Sequence, residues 1–419
     1  MPSALGFLLR KRAAHVVFRG MRGRTLAAPF VFVMAAALAA QGAAQAAEAP
    51  TGTPVTPPFP PRGKVIVAHT RESPRNGEGA FLPLADGQLM YVYGSFTGMS
   101  DTSRSRIAAV RSPDGGDTWS QPEILFQDAN VSLLHPSLVR LPDGGVGLAH
   151  SKLWSATKAA KVFRRSADEG RTWSDEIPVS DGSFGYMTGA HDRFIRVGER
   201  RILNTVHAKM EISGASRKLG TFVFFSEDGG LTWRKTPQQP LTCGSNPANL
   251  SESGYSETSI VELAGGELLM LGRTTTGWAW ESRSSDAGRT WSQPVQSSLP
   301  NPVAPVRLTR VPGTATVLAI HNAGVDLRSG WHGGVRTVLA ARTSADGGRT
   351  WPGYREIEHS AEASTWYDYP AAYWTGDTLH VAYRSSGSDK AGRFMEVRYV
   401  RLPKSWFLQE VQREAAESP

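Results

Sequence analysis

One eight-residue pattern, Ser-x-Asp-x-Gly-x-Thr-Trp, occurs five times in this chain of 419 residues. The copies cover residues 112–119, 166–173, 226–233, 284–291 and 344–351, so successive copies start 54, 60, 58 and 60 residues apart. A pattern that returns at such a period predicts an array of similar structural units, each too small to bury a core alone. We therefore expect a single repeat architecture.

Each copy of the pattern has the residues of a tight turn. Its Asp and Ser side chains can bond to nearby backbone N–H groups, and its Gly can adopt the positive φ that a corner requires. The Thr-Trp pair then starts the next strand, and the indole can be buried against a neighbouring unit. By this chemistry the repeated box is structural.

A second mark in every unit is an apolar strand broken by a short polar turn. These hairpin patterns lie at residues 84–89, 141–146, 197–202, 263–268, 311–314 and 374–379. Each is followed by a third strand, and in five units by the box and a fourth strand, which is the composition of a propeller blade. The sequence therefore predicts an all-β fold, a six-bladed β-propeller that covers residues 62–403.

The two ends of the predicted propeller meet. The apolar segment 64–68 can complete the last blade beside residues 395–400, which closes the ring. Residues 404–419 form a tail with at most a short helix, packed through Trp406 and Phe407. The single cysteine, Cys243, excludes an internal disulfide, so the core must be large enough to be stable without one.

The first 47 residues are typical of a signal peptide. Six basic residues without any acid precede a 15-residue apolar run, 26–40, and small residues follow it. That run is shorter than the ~20 residues of a spanning helix. Cleavage would leave a net charge of +2 instead of +8, so nucleic acid is not an expected partner. We expect a monomer in the periplasm or outside the cell, without a membrane span, after a Pro-rich linker at 48–61.

Ionisable residues recur where the innermost strand of each predicted blade starts. Six residues before each hairpin stand Glu78, His135, His191, Glu257 and Asp368, the last between Tyr367 and Tyr369; the fifth blade has Pro305 there. The returning strands bring Lys152, His207, Lys209, Arg273, Asn322 and Arg384 to the same face. Polar strand ends are common in any protein. Groups of both signs around one axial mouth nevertheless indicate a cleft in which pKa values shift.

The repeated box resembles the Asp-box (BNR) repeat of the sialidase superfamily, and the likeness extends over nearly the whole chain after residue 47. The segment 257–263 followed by Arg273 resembles the sialidase stretch that carries a catalytic Glu and an arginine of the carboxylate-binding triad. Arg336 resembles the third arginine of that triad, and the strand start at Tyr367 and Tyr369 resembles the one that bears the tyrosine nucleophile. Asp101 matches the place of the acid/base aspartate.

The resemblance implies a division of roles in glycoside hydrolysis. Glu257 would take the proton of Tyr369, the phenolate would attack the sugar, and Asp101 would protonate the leaving oxygen. Arg273 and Arg336 would clamp an acidic terminal sugar of a glycan. Tyrosine nucleophiles are an exception to the paired carboxylates of most glycosidases. Further substrate contacts are expected from Glu78, His135, His191, His207, Tyr367 and Arg384.

One departure from the sialidase pattern leaves the substrate open. Sialidases start the first blade with an arginine, whereas this chain has Glu78 at that depth, which reverses the local charge. Three hypotheses follow: a sialidase-like exo-glycosidase, a related hydrolase or lyase with a changed substrate, and a glycan-binding propeller without activity. No cofactor is predicted, although Glu78, Asp101 and the three histidines could hold a divalent metal.

Overall fold

The computed structural model describes residues 63–409, except 181, 183–184, 213–214, 239, 244–253, 325–335 and 363. The predicted signal peptide and linker lie outside the described residues, as does most of the predicted tail. Among the described residues, no helix is long and apolar enough to cross a membrane.

The described chain is built almost entirely of strands. The first group comprises β1 (Lys64–Val67), β2 (Arg75–Pro83), β3 (Leu89–Phe96), β4 (Ser105–Ser112) and β5 (Glu123–Phe126). The second comprises β6 (Ser132–Arg140), β7 (Val146–Ser155), β8 (Lys158–Ser166) and β9 (Ile177–Pro178). The third comprises β10 (Met187–Thr188), β11 (Phe194–Val197), β12 (Arg201–Ile212), β13 (Ala215–Ser226) and β14 (Arg234–Lys235).

Three further groups complete the chain. They are β15 (Ser256–Glu262), β16 (Leu268–Arg273), β17 (Trp278–Ser284) and β18 (Val295–Pro300); then β19 (Arg307–Arg310), β20 (Val317–Asn322), β21 (Val338–Ser344) and β22 (Gly353–His359); then β23 (Trp366–Thr375), β24 (Thr378–Asp389) and β25 (Gly392–Pro403). A short helix, α1 (Lys404–Leu408), follows, and its buried Phe407 packs on Trp374 with ring centroids 5.7 Å apart.

The strands form five hydrogen-bonded sheets among the described residues, all with antiparallel neighbours inside each group. Four sheets correspond to the groups β6–β9, β10–β14, β15–β18 and β19–β22. The fifth has eight strands, because β2–β5 are joined to β23–β25 through one parallel contact between Arg75 and Met395, and β1 pairs with β25. The fold is therefore all-β and propeller-like, but the sheet count does not confirm the predicted six blades.

Two details of strand pairing agree with the sequence. The segment at the start of the described chain pairs with the last strand, with Lys64 opposite Tyr399 and Val67 opposite Val397, as predicted. The six expected hairpins also form, between β2 and β3, β6 and β7, β11 and β12, β15 and β16, β19 and β20, and β23 and β24.

The apolar core lies between adjacent sheets, where for example Leu269 packs in one cluster with Leu308.

The five boxes form the same hydrogen-bonded turn. In the third copy, Ser226 Oγ donates to Asp228 Oδ1 at 2.8 Å and accepts from the Gly230 N–H at 2.8 Å. Asp228 accepts from the N–H and the hydroxyl of Thr232 at 2.9 and 2.5 Å. The same four bonds recur in the other copies. Gly230 has φ 89°, which explains why the box needs glycine.

The box tryptophans are less uniform than predicted. Trp291 and Trp351 are buried, at 5% exposure each, whereas the tryptophans of the other three boxes are half-buried. Trp233 packs on Phe163 of β8, in the preceding sheet, with ring centroids 5.2 Å apart. The indoles thus bridge neighbouring sheets, but full burial of all five is wrong.

Near the start of five inner strands, one residue lies in the left-handed backbone region. These residues are Glu78, His135, Asp192, Glu257 and Tyr369, with φ between 49° and 59°. At four of them the strand register shifts, which marks a β-bulge. Such backbone at a non-glycine residue costs about 1–3 kcal/mol and concentrates at functional sites. The bulges turn these side chains toward one place.

Candidate active site

A cavity of about 350 Å³ lies where these bulged strand starts meet. Charged, imidazole and aromatic side chains dominate its wall. The lining residues are Arg75, Glu78, Met99, Ser100, Asp101, His135, Tyr186, Thr188, His207, Glu257, Arg336, Trp366, Tyr369, Arg384 and Met395. Eight of the eleven side chains predicted for the site line this cavity, and Arg273 contacts two of them.

The phenol of Tyr369 is hydrogen-bonded to the carboxylate of Glu257. Its hydroxyl donates to Glu257 Oε1 at 2.9 Å, and Arg273 Nη1 lies 2.7 Å from Glu257 Oε2 and 3.3 Å from the phenol oxygen. Burial, together with the charge of Glu257, raises the pKa of Tyr369. Burial would also raise the pKa of Glu257, but Arg273 and His207 outweigh it and hold that pKa below its usual range. At neutral pH the pair is therefore a phenol beside a carboxylate.

Glu78 is paired with two arginines and one histidine. Its Oε1 accepts from Arg75 Nη2 at 2.9 Å and from Arg384 Nη1 at 2.7 Å, and its Oε2 lies 3.0 Å from His135 Nε2. Burial would raise the pKa of Glu78, but Arg75, His135 and Arg384 hold it well below the usual range. Glu78 is thus an ionised carboxylate fixed by cationic neighbours.

A second buried carboxylate, Asp368, shares Arg384 with Glu78 and binds one further arginine, Arg336. Arg384 donates to both Asp368 oxygens, at 2.8 and 2.9 Å, and Arg336 Nη1 lies 2.6 Å from Oδ2. The other terminal nitrogen of Arg336 donates to the carbonyl of Val303. Arg336 and Arg384 therefore reach the cavity already hydrogen-bonded to protein carboxylates.

Asp101 is the most exposed of the predicted catalytic residues. It lies in the loop between β3 and β4, its side chain is 44% exposed, and its Oδ1 accepts from Arg75 Nη1 at 2.7 Å. Arg75 also donates to the Met99 carbonyl at 3.0 Å, which ties the loop to β2. A carboxyl group at the cavity mouth can exchange protons with solvent, as a general acid and base must.

The three predicted histidines have different surroundings. His135 contacts Glu78, and His207 lies between the Glu257 N–H at 3.4 Å and the Thr188 hydroxyl at 3.1 Å. Burial lowers the pKa of His207 to about 4, so the ring is neutral at pH 7. His191 does not line the cavity. It packs on the Tyr369 ring with centroids 5.6 Å apart and donates to the Pro370 carbonyl.

One predicted site residue belongs to the core instead. Tyr367 packs edge-on against Tyr383 with centroids 6.1 Å apart, inside an apolar cluster. The bulge after Asp368 causes this, because it directs Tyr369 into the cavity while Tyr367 faces the neighbouring strands. Trp366, one residue earlier, lines the cavity. Tyr367 therefore does not line the cavity, and its role as a substrate contact stays a prediction.

The structure adds residues that the sequence analysis did not select. Arg75 and Tyr186 line the cavity; Arg75 stands on the inner strand three residues before Glu78, so a wider window on that strand start would have included it. Asp192 binds Arg307 at 2.5 Å. Arg193, 3% exposed, has no hydrogen-bond partner for its three guanidinium nitrogens among the described residues. Glu257 and Tyr369 lie close enough to raise the pKa of Arg193, although burial lowers that pKa overall.

The described residues do not bring a set of metal ligands together. They contain no group of three or more His, Cys, Asp or Glu side chains placed to hold a metal ion. Glu78, the carboxylate that the alternative required, is committed to Arg75, Arg384 and His135.

Comparison with known proteins agrees with the fold and the repeat. The family model of the BNR repeat-like domain matches residues 63–176 and 150–381. A sialidase of Micromonospora viridifaciens is 25% identical over 364 residues, which cover 77% of this chain and 53% of the relative. The chain thus spans about half the length of that relative.

Solved structures with the same fold have low sequence identity. A protein of unknown function from Dyadobacter fermentans superimposes with a TM-score of 0.65 at 17% identity, covering 81% of this chain and 98% of that one. The Hadza microbial sialidase Hz136 gives a TM-score of 0.64 at 18% identity, covering 81% and 68%. Because the family model covers more than half of the chain, this protein belongs to the BNR repeat-like domain family and is a BNR-repeat protein of the sialidase superfamily.

Proposed function

We propose that this chain is a glycoside hydrolase in which Tyr369 is the nucleophile, Glu257 its base and Asp101 the general acid. The observation that carries the proposal is the hydrogen bond from the Tyr369 phenol to Glu257 at 2.9 Å, with Arg273 bonded to both. A phenol buried beside an ionised carboxylate is poised to lose its proton as it attacks, which is how a weak nucleophile is activated. A module that only binds glycans has no use for this pair.

The reaction would proceed in two displacements. The Tyr369 oxygen attacks the anomeric carbon and its proton passes to Glu257, while Asp101 protonates the leaving oxygen as the glycosidic bond breaks. Asp101 then takes a proton from water, the water oxygen attacks the anomeric carbon, and the tyrosine oxygen leaves and recovers its proton from Glu257. The anomeric configuration is therefore retained.

We propose a terminal acidic sugar of a glycan as the substrate, in line with the sialidases among the relatives. A changed acidic sugar, such as a uronate, is the second candidate. It is favoured by the way Glu78 and Asp368 already occupy Arg75, Arg336 and Arg384, since these carboxylates limit how a sialic acid carboxylate can be clamped.

The finer architecture and the location are part of this proposal. The eight-stranded sheet is best understood as two four-stranded blades, β2–β5 and β23–β25 with β1, that touch at one residue pair. That division makes six blades. The basic and apolar composition of residues 1–47 supports export to the periplasm or beyond.

A panel of chromogenic glycosides, including sialosides and uronides, tests the proposal on the purified protein. The expected result is hydrolysis of an acidic glycoside that Tyr369→Phe abolishes and Tyr373→Phe, on the same strand but outside the cavity, leaves intact. A slow fluoro-sugar substrate should add its glycosyl mass to the Tyr369 peptide. Wild-type turnover by Tyr369→Phe, or no hydrolysis and no adduct with any member of the panel, would refute it.

A further inference from the structure

An exposed aromatic residue flanked by lysines takes no part in the proposed chemistry. Trp154, at the end of β7, is 40% exposed, although large apolar side chains usually avoid water. The ammonium groups of Lys152 and Lys158 lie 5.6 and 5.3 Å from its ring. Lys152 also pairs with Glu176 at 2.7 Å, whereas Lys158 forms no ion pair among the described residues.

A second aromatic and lysine pair lies on the cavity wall itself. Tyr186 lines the cavity together with Asp101, and Lys209 Nζ lies 4.7 Å from the centre of the tyrosine ring. The backbone joins the two as well, because the Lys209 N–H donates to the Tyr186 carbonyl at 3.0 Å. Lys209 is exposed and likewise has no ion-pair partner in the described part of the chain.

Hydrogen bonds connect both pairs to each other and to the loop of Asp101. The Ala159 N–H donates to the carbonyl of Gly185, the residue before Tyr186, and Ala159 is opposite Leu153, the residue before Trp154. On the other side, Ser132, which is also opposite Leu153, donates through its hydroxyl to the Ser103 carbonyl at 2.7 Å. Trp154 and Tyr186 therefore lie along the rim next to the general acid.

The position of the rim decides which part of a substrate it can meet. Asp101 has to reach the leaving oxygen, so the sugars beyond the cleaved bond extend on the Asp101 side. Aromatic rings stack on the apolar faces of sugars. Ammonium groups at exposed rings are held only weakly by them, so an anionic sugar can draw the lysines to itself and leave the ring faces free.

We propose that Trp154, Tyr186, Lys152, Lys158 and Lys209 form a subsite for the leaving-group side of the substrate, and that this subsite takes anionic sugars, carboxylated or sulfated. The inference rests on the proposed glycosidase function for the direction of the chain. It goes beyond that function because it assigns a class to sugars that are not cleaved, so the substrate is a polyanionic glycan rather than a neutral one with a single acidic end.

Binding by the inactive Tyr369→Phe protein tests the subsite without turnover. Isothermal titration would compare three tetrasaccharides: one of galacturonic acid, one of chondroitin sulfate and a neutral one of glucose. We expect at least one anionic probe to bind about tenfold more tightly than the neutral one at low salt, with the difference shrinking as salt is added. The chondroitin sulfate probe carries carboxylates and sulfates, whereas the galacturonic acid probe carries carboxylates only, so tighter binding of the former would show that sulfate contributes.

Substitutions assign the effect to the rim. Lys158→Ala and Lys209→Ala should each weaken anionic binding about two- to fivefold, and Trp154→Ala should weaken it about tenfold. Lys390→Ala is the matched control, because Lys390 is an exposed lysine at the corresponding hairpin between β24 and β25 and contacts no aromatic ring among the described residues. Equal affinity for neutral and anionic probes, or lysine variants that match the control, would overturn the inference.

Binding of anionic probes and dependence of hydrolysis on Tyr369 test the subsite and the glycosidase function separately. Loss of hydrolysis in Tyr369→Phe without any preference for anionic probes would leave the glycosidase proposal standing and remove the subsite. A preference for anionic probes in a protein whose hydrolysis does not depend on Tyr369 would do the reverse.

Discussion

Glu78 Oε1 lies 2.7 Å from Arg384 Nη1, which connects two inner parts of the fold that are 306 residues apart in sequence. The same oxygen accepts from Arg75 at 2.9 Å. Lys152, which the sequence places on the same face, forms no ion pair with Glu78 among the described residues and binds Glu176 instead. Arg75 thus brings a cation to the region where the family pattern has one.

This arrangement predicts that Glu78→Arg will not raise the hydrolysis of sialosides. The new guanidinium would face Arg75 and Arg384 after both have lost their shared carboxylate, so we expect a loss of about 3–5 kcal/mol in the free energy of unfolding. Glu78→Gln keeps the shape and should lose less. Urea unfolding and sialoside hydrolysis would be measured together. A stable Glu78→Arg protein that gains sialoside activity would show that Arg75 does not serve this position.

Arg273 should act mainly on the rate of the reaction. Its Nη1 contacts both Glu257 and the Tyr369 phenol, and a lysine keeps the charge but loses the planar fork. We expect Arg273→Lys to lower kcat about 10- to 100-fold with the fold intact. Arg283→Lys is the control, since Arg283 pairs with Glu281 and Glu267 outside the cavity. Equal kinetics in the two variants would exclude Arg273 from the site's chemistry.

The box tryptophans should contribute to stability in proportion to their burial. Trp351 is 5% exposed, whereas Trp233 is half-buried against Phe163. We expect Trp351→Ala to lower the free energy of unfolding by about 3–5 kcal/mol and Trp233→Ala by less. Both should retain the activity of the folded protein. Urea titrations give the order, and a larger loss at Trp233 would contradict it.

The sequence could predict the parts of this protein that depend on local chemistry. The five boxes need Asp, Ser, Gly and Thr for bonds within eight residues, so their pattern carried the turn geometry directly. The hairpins and the pairing of β1 with β25 followed from the same periodic pattern. The strand starts that converge, Glu78, His135 and Glu257, followed from counting back from the hairpins.

What the sequence could not predict depends on bulges and on long-range ion pairs. The left-handed backbone of Tyr369 turns its side chain toward the cavity, whereas Tyr367 faces the core. The residue types in this strand do not predict that bulge. Asp368 binds Arg336 and Arg384 from other strands. The sequence therefore could not show that both arginines are already paired with a protein carboxylate. The sheet count also differs, because one contact at Arg75 merges two groups of strands.

Buried histidines should make the fold acid-sensitive. Burial lowers the pKa of five of them, to about 3 for His150, His191 and His321 and to about 4 for His207 and His380. Their folded pKa values lie below the unfolded value of about 6.5, so the unfolded chain binds more protons between pH 6.5 and 3–4. Stability is therefore complete above pH 6.5 and falls as the pH decreases, by about 1.4 kcal/mol per pH unit for each histidine.

Unfolding titrations between pH 7 and 4.5 measure this loss. His150→Phe removes one titrating group that is fully buried against Phe126, so its free energy of unfolding should depend less steeply on pH. A slope that does not change in His150→Phe would contradict the assignment.

Arg193 should lower the free energy of unfolding and at the same time stabilise negative charge that develops on Tyr369. Its guanidinium is buried, has no hydrogen-bond partner among the described residues, and has its pKa lowered to about 10, mainly by burial. Replacement of an unpaired buried charge by a similar apolar side chain removes a desolvation penalty, so Arg193→Met should raise the free energy of unfolding by about 1–3 kcal/mol. The same change removes positive charge near Tyr369 and Glu257, so kcat should fall because the developing phenolate is less stabilised. Arg307→Met is the matched control, because Arg307 binds buried Asp192 and its replacement should lower the free energy of unfolding. A similar decrease in the free energy of unfolding of Arg193→Met would show that the Arg193 guanidinium is paired in solution.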